Sequence, residues 1–376
     1  MIKLEETGNS NEYITNMLLK MKELKASDLY LSWNRTNVKL QFRVNGVLSH
    51  EKYYISKEFA ETLKFSLVAY SGEDEYLKVI DGKLNFELND KMEEFRLSVA
   101  ETVNGYAIVI RQYDFFNNEN NINDLGFMPE VITSVKEIIE DNRYGLFLVT
   151  GATGSGKTTT LYTLLNYLKN NKNAMIKTVE DPVEVYLDDI DQFQINLKGE
   201  KKYHVTYNTA IKTFLRQRPD YILIGEIRDE EVAEYTFRAS FTGHFVFSTL
   251  HTGSVENAIT RLFDLNIHKD KIEDSLCGIL NQFLVPKLCT CKIKDGKYYK
   301  RNVDGCEICR KNQKPGYNGL NVVGELAQLK IETGNYKKEN WIKYISINEN
   351  LNYLLKNGLI DNITYNFYKV EDNVIK

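Results

Sequence analysis

The sequence has no long hydrophobic run. Its most apolar stretches, GLFLV and HFVFSTL, are strand-sized, well short of the roughly 20 residues needed to cross a bilayer. Any membrane contact is therefore expected to run through a partner. The first residues, MIKLEETGNSNEY, are polar and acidic and lack the apolar core of a signal peptide, so the chain reads as cytosolic. Neither sign of charge dominates: 48 basic against 52 acidic residues leave a net charge of −4, which gives nucleic acid or acidic lipid no general attraction. No direct nucleic-acid partner is expected. Cysteine is sparse, with an odd total of 5, yet four of the five cluster at 289, 291, 306 and 309. In a reducing compartment such a cluster points to metal rather than disulfides. There is no internal repeat, and 376 residues suffice for about two domains with their own cores.

Residues 12–25 place Ile14, Met17, Leu18, Met21 and Leu24 at helical spacing. Strands are expected at 28–32 and 38–44, with Asn45-Gly46 as a hairpin turn, then a helix at 57–69 and strands at 83–88, 93–100 and 106–112. That is a small α+β domain over 1–113, and the polar, Asn-rich stretch that follows reads as a linker over 114–126. Beyond it, helices at 129–141, 157–169, 206–216, 229–240 and 254–265 alternate with strands at 145–150, 174–180, 221–227 and 244–250. Such alternation predicts an α/β domain with a mostly parallel sheet and helices on both faces. It is placed at 127–286, with a C-terminal region over 287–376 that ends in a helical pattern near 350–358.

Gly151-Ala152-Thr153-Gly154-Ser155-Gly156-Lys157-Thr158 fits G-x-x-x-x-G-K-[ST], and it sits between a buried strand and a helix, as a phosphate loop requires. Glycines let main-chain amides curl around phosphate, and the helix start adds its positive dipole end. Lys157 is assigned to the β- and γ-phosphates of ATP and the Thr158 hydroxyl to Mg²⁺, with Thr159 in the first turn beside them. About 70 residues on, the apolar strand YILIG ends in Glu226, at the sheet edge where open α/β sheets bind ligands. Glu226 is read as the carboxylate that orients and polarises the attacking water. Gly225 stands where many phosphate-loop enzymes carry Asp, so Glu180 and Asp181, ending the strand MIKTVED, are candidates for the metal side. His244 and His251 bracket the strand FVFSTL, and either is equally well read as a hydrogen-bonded strand-end residue.

With these segments in order, the chain resembles the secretion ATPase superfamily of type II secretion, type IV pilus and competence pseudopilus motors, over about residues 26–325. GATGSGKTTTLY resembles its Walker A segment, TVEDPVEV its Asp box, FLRQRPDYILIGEIRDEEVA its Walker B and TGHFVFSTLHTGS its His box. The resemblance implies a RecA-like core behind a PAS-like second N-terminal domain, and a Gly-Glu pair at 225–226. It places Glu180, Asp181 and Glu184 near the nucleotide and gives functional weight to His251 and His244. Arg96 and Arg111 fall where family members carry arginines that approach the phosphates, although a solvated strand face explains them too. Arg228, inside the Walker B segment, is assigned to structure, to the metal-side carboxylates or to phosphate.

Cys289-Thr-Cys291 and Cys306-Glu-Ile-Cys309 suit a tetrahedral Zn²⁺ site, with unligated buried thiols as the alternative, and Cys277 is read as core within a helix. The cluster, with GYNGLNVVGEL after it, resembles the tetracysteine element of assembly-type motors, although the first pair is C-x-C where the family has C-x-x-C. The implied protein is a cytoplasmic homohexameric ring at the inner or plasma membrane, driving a platform membrane protein that extrudes pilin subunits. It resembles most the competence DNA-uptake motor of Gram-positive bacteria. A retraction motor, a RecA-like DNA translocase and a nucleotide-dependent scaffold are the rival readings.

Overall fold

The computed structural model describes residues 4, 6, 8–44, 47–74, 76–89, 91–112, 121–197, 204–311, 314–329 and 341–370, so the expected Asn45-Gly46 turn lies outside the described residues. The chain divides into two compact units, Met1–Phe115 and Phe116–Lys376.

In the first unit, α1 (Ser10–Glu23) is capped by Asn9, whose side chain accepts from the Asn11 and Glu12 amides. Then come β1 (Ala26–Trp33), β2 (Val38–Val44), β3 (Val47–Leu48), β4 (Tyr53–Ile55), α2 (Lys57–Ser71), β5 (Val79–Leu88), β6 (Lys91–Thr102) and β7 (Gly105–Gln112). Among the described residues these strands form one antiparallel sheet in the order β3-β2-β1-β7-β6-β5, with β4 pairing β2. Burial alternates along β6, where Phe95, Leu97 and Val99 join Ile14, Met17 and Leu18 of α1 and Leu63 and Leu67 of α2 in one core.

Among its described residues the second unit opens on a short 3₁₀ turn, Ile122–Leu125, inside the stretch expected to be a linker; Ile122 is buried in this unit's core, which ties the turn down. After it come α3 (Pro129–Asp141), β8 (Gly145–Thr150), α4 (Lys157–Lys172), β9 (Ile176–Glu180), β10 (Asp191–Gln194), α5 (Tyr207–Gln217) and β11 (Tyr221–Ile224). Next are α6 (Glu230–Phe241), β12 (Phe245–Leu250), α7 (Val255–Asp264), α8 (Lys269–Ser275) and β13 (Leu276–Leu288). The chain ends with β14 (Ile293–Asp295), β15 (Tyr298–Lys300), α9 (Glu307–Lys311), β16 (Tyr317–Gln328), β17 (Lys343–Ile345), α10 (Ile347–Lys356) and α11 (Asn362–Tyr368).

The main sheet runs β10-β9-β11-β12-β8-β13-β16-β17. Pairing is parallel from β10 through β13 and antiparallel for β16 and β17. Strand periodicity splits GLFLVT between two cores: Leu146 and Leu148 pack with α5, α6 and α7 on one face, and Phe147 and Val149 with α3 and α4 on the other. Strands β13 and β16 form a long antiparallel ribbon in which Asn281 pairs with Glu325, and residue 287 lies within β13. Cys277, expected in a helix, starts that ribbon, buried, with its thiol donating to the Leu146 carbonyl at 3.2 Å. A mostly apolar run such as LCGILNQFLV does not separate buried helix from buried strand. Among the described residues no helix is long and apolar enough to cross a membrane.

Candidate nucleotide site and cysteine cluster

Strand β8 delivers the chain to Gly151, whose φ is +144°. A Cβ there would lie 2.3 Å from the Gln282 carbonyl oxygen and 2.6 Å from Ser155 Oγ, so no side chain fits. The loop then turns through Ala152, Thr153, Gly154 and Ser155 to Gly156, whose left-handed φ of +86° starts α4. Thr160 makes the first helical bond, to the Gly156 carbonyl at 3.0 Å, which leaves the amides of Lys157, Thr158 and Thr159 without intrahelical acceptors. Free amides at a helix start favour an anion. Lys157 Nζ donates to the Gly151 carbonyl at 2.9 Å and the Ala152 carbonyl at 3.1 Å. Burial pushes its pKa down, opposed by the charges of Glu226 and Glu184.

The loop opens on a cleft of about 520 Å³, also lined by Glu180, Asp181, Glu184, Tyr207, Glu226, Arg228 and His251. Glu226 follows β11 by two residues. Gly225 before it donates to the Val179 carbonyl at 2.9 Å, and a Cβ there would meet that oxygen at 3.3 Å and Glu180 Cα at 3.4 Å. An aspartate at 225 would crowd Glu180, a physical reason for Gly before Glu in this chain. One oxygen of Glu226 accepts from Arg228 Nε at 2.9 Å, and the other lies 3.2 Å from His251 Nε2. Arg228 Nη1 donates to Asp181 Oδ2 at 2.9 Å, and His251 Nδ1 lies 3.4 Å from Lys157 Nζ. The two contacts of His251 fit the ring with its proton on Nε2, donating to Glu226 and accepting from Lys157. A continuous chain Asp181–Arg228–Glu226–His251–Lys157 therefore spans the cleft.

Glu180 has a different environment. It is 5% exposed and accepts from the Tyr162 hydroxyl, from Thr178 Oγ1 at 2.5 Å and from Gln192 Nε2 at 3.3 Å. Burial raises its pKa, and those three donors pull it back down. The sequence does not mark these donors: Tyr162 falls in a helical pattern, and the polar strand β10 that carries Gln192 has no strand pattern.

The remaining expected residues fall elsewhere. His244 precedes β12, whereas His251 follows it, so seven steps of about 3.3 Å each separate them by roughly 23 Å. His244 does not line the cleft; it is buried, with Nδ1 3.3 Å from Thr242 Oγ1. Its assignment to the nucleotide is corrected on that ground, because only the carboxyl ends of the strands border this cleft. Arg96 and Arg111 belong to the first unit, where Arg96 grips Asp81 through Nε at 2.9 Å and Nη2 at 2.6 Å, and Arg111 Nε donates to Asp28 at 2.7 Å.

The four clustered cysteines converge at the tip of the β13–β16 ribbon. Their sulfurs lie within 4.8 Å of one another: Cys289 to Cys306 is 3.7 Å, while Cys291 to Cys309 and Cys306 to Cys309 are 3.8 Å. Those separations are far longer than a disulfide bond. They match the edge of a tetrahedron with Zn–S of about 2.3 Å, which is about 3.8 Å. The shortened C-x-C pair thus still brings both sulfurs to the cluster. The amides of Cys306 (3.1 Å) and Gly316 (3.2 Å) donate to Cys309 Sγ and hold its thiol down at about 6, toward the thiolate that a metal needs.

A phosphate loop at the carboxyl edge of a parallel sheet, faced by an acidic strand end, defines a P-loop nucleotide-binding protein. The family is narrower: the chain belongs to the Type II/IV secretion system protein family, whose model matches residues 3–364. It is 38% identical over 270 residues to type II secretion system protein E of Pseudomonas aeruginosa, covering 71% of this chain and 52% of that protein. It is 31% identical over 360 residues to the type IV pilus assembly ATPase PilB of Acinetobacter baylyi, covering 89% of this chain and 61% of PilB. Competence protein ComGA of Bacillus subtilis is 34% identical over 283 residues, 75% of this chain and 78% of ComGA. The chain thus spans between half and two thirds of the first two relatives. Among solved structures it is similar to the pilus retraction motor PilT with bound ADP, with a TM-score of 0.69 and 25% identity over 94% of this chain and 95% of PilT.

Proposed function

We propose that this protein is an ATP-hydrolysing motor that drives assembly of a type IV pilus-like or competence/secretion pseudopilus filament. The observation that carries the proposal is the contact chain from Asp181 to Lys157, which sets the Glu226 carboxylate opposite the phosphate-loop lysine. In this reading Lys157 leaves the Gly151 and Ala152 carbonyls for the β- and γ-phosphates. Glu226 orients the attacking water and takes up its proton, while Arg228 and His251 fix the carboxylate's direction. The Thr158 hydroxyl and the carboxylates of Asp181 and Glu184 line the cleft and are hard oxygen donors of the kind Mg²⁺ takes. When bound, the ion neutralises charge on the triphosphate. Glu180, enclosed by its three donors, supports the floor of the site. Arg96 and Arg111 remain assigned to phosphate charge in an assembled ring, on the family resemblance alone.

On the resemblance to that superfamily, the proposal extends to a homohexamer on the cytoplasmic face of the membrane that acts on a platform membrane protein, with zinc on the convergent Cys289, Cys291, Cys306 and Cys309. The likeness to PilT favours a second reading, retraction, whereas the cysteine cluster favours assembly through its resemblance to assembly-type motors. Deleting the gene and counting surface filaments separates the two. Loss of filaments is the expected result, and hyperfilamentation would assign the chain to retraction.

A further inference from the structure

Glu325 lies 3% exposed in the middle of β16, where residues 321–327 are all buried. A carboxylate is seldom buried unless donors surround it. Three donors converge here: the Val255 amide at 3.1 Å and Asn281 Nδ2 at 3.3 Å on Oε2, and the Tyr344 hydroxyl at 2.7 Å on Oε1. Val255 is the first residue of α7, so its amide belongs to the positive end of that helix. Asn281, 2% exposed and paired with Glu325 across the ribbon, reaches in two more directions. Its Nδ2 donates to the Gly253 carbonyl at 3.0 Å, and its Oδ1 accepts from Thr150 Oγ1 at 3.2 Å.

Thr150 is the last residue of β8, directly before the phosphate loop. Gly253 and Val255 follow His251 by two and four residues, in a connection with no helix or strand of its own until α7. One end of that connection is held by β12. The other is held by Glu325 and Asn281, and Asn281 also holds the strand that leads into the loop gripping Lys157.

We propose that Glu325 and Asn281 act as a pair of positioning residues, which fix the 251–254 connection against the phosphate-loop strand and so hold His251 between Glu226 and Lys157. The inference rests on the reading that this site turns over ATP. Neither residue borders the cleft, so the pair acts through the placement of His251 rather than by touching substrate. The Val255 amide can only donate, so the group facing it must accept. A glutamine at 325 can still accept there with its oxygen while its amide turns to Tyr344, but a leucine can do neither.

The test is steady-state ATP turnover of the parent and of Glu325→Leu, Glu325→Gln and Asn281→Ala, with folding checked by circular dichroism. Misplacing a group beside the reacting atoms by about an ångström costs on the order of 100-fold. Glu325→Leu and Asn281→Ala are expected to lower kcat by about 10- to 100-fold with KM for ATP within about 3-fold of the parent, and Glu325→Gln to recover most of the loss. Should Glu325→Leu fail to fold, Asn281→Ala and Glu325→Gln carry the test. A parent without turnover would overturn the functional reading together with this inference. Turnover in the parent with kcat unchanged in Asn281→Ala, or a rise in KM alone, would overturn the positioning role and leave the functional reading standing.

Discussion

Tyr162→Phe removes a single oxygen from a side chain that is 1% exposed and donates to the carboxylate of Glu180. The ring volume is kept, so no cavity opens, and the effect is confined to the hydrogen bonds of one hydroxyl, with the Glu180 carboxylate and the Glu184 backbone. Such bonds contribute about 1.5–3 kcal/mol, and because Thr178 and Gln192 still donate to Glu180 the loss belongs near the lower end. Its pH dependence follows from Glu180, whose folded pKa is raised above the ordinary 4.5, chiefly by burial. A carboxylate with a raised folded pKa binds more protons folded than unfolded, so it costs stability at neutral pH. That cost is relieved as pH falls through the folded value and is gone below the ordinary one. Removing the Tyr162 donor raises Glu180 further, so the variant's deficit is largest near neutrality and shrinks as pH falls through that window. Urea unfolding followed by emission of Trp341, the tryptophan in the core of the second unit, measures both quantities in a Trp33→Phe background. A deficit under about 0.5 kcal/mol at neutral pH would refute the reasoning, since that is the scale of an ordinary surface change. So would a deficit that does not change with pH.

Further outcomes follow from the loop and the cysteine cluster. Gly151→Ala places a Cβ 2.3 Å from the backbone oxygen of Gln282, which cannot move without displacing β13, so ATP affinity should fall by at least about tenfold in equilibrium binding. Unchanged affinity would mean the loop tolerates a shifted first turn. Cys306→Ser removes one of four convergent sulfurs and should lower zinc content, measured by elemental analysis, from one per chain to well below it. A parent chain free of zinc would end the metal assignment.

The nucleotide site was legible where chemistry is written locally. The phosphate loop needs contiguous glycines, a lysine and a threonine, and Glu226 announces itself as a carboxylate at the end of an apolar strand. Glu180 and Asp181 were visible for the same reason, and both line the cleft. What was not legible comes from strands remote in sequence. Asn281 and Gln282 interrupt the apolar run that begins beside Cys277, and Gln282 Nε2 donates to the Ser155 carbonyl at 2.7 Å, beneath the loop. Their polarity inside that run was the available signal, because a buried amide needs partners. Strand β10 (DQFQ) is not legible in the sequence, since an edge strand with half-exposed side chains carries little apolar pattern. His244 and His251 looked equivalent as brackets of one strand, and only the direction of the parallel sheet assigns them to opposite ends. The length of the β13–β16 ribbon, which joins the cysteine cluster to the phosphate-loop region, is a tertiary pairing that no short window contains.

Single-turnover hydrolysis by Glu226→Gln, measured beside its equilibrium affinity for ATP, tests the assignment most directly. Glutamine keeps the length of the side chain and can still accept from Arg228, while its amide faces His251 as a donor, and it cannot take up a proton from water. ATP affinity should stay within a few-fold of the parent while hydrolysis falls by about 100-fold or more. Hydrolysis at the parent's rate would contradict the role of Glu226 on which the motor reading stands.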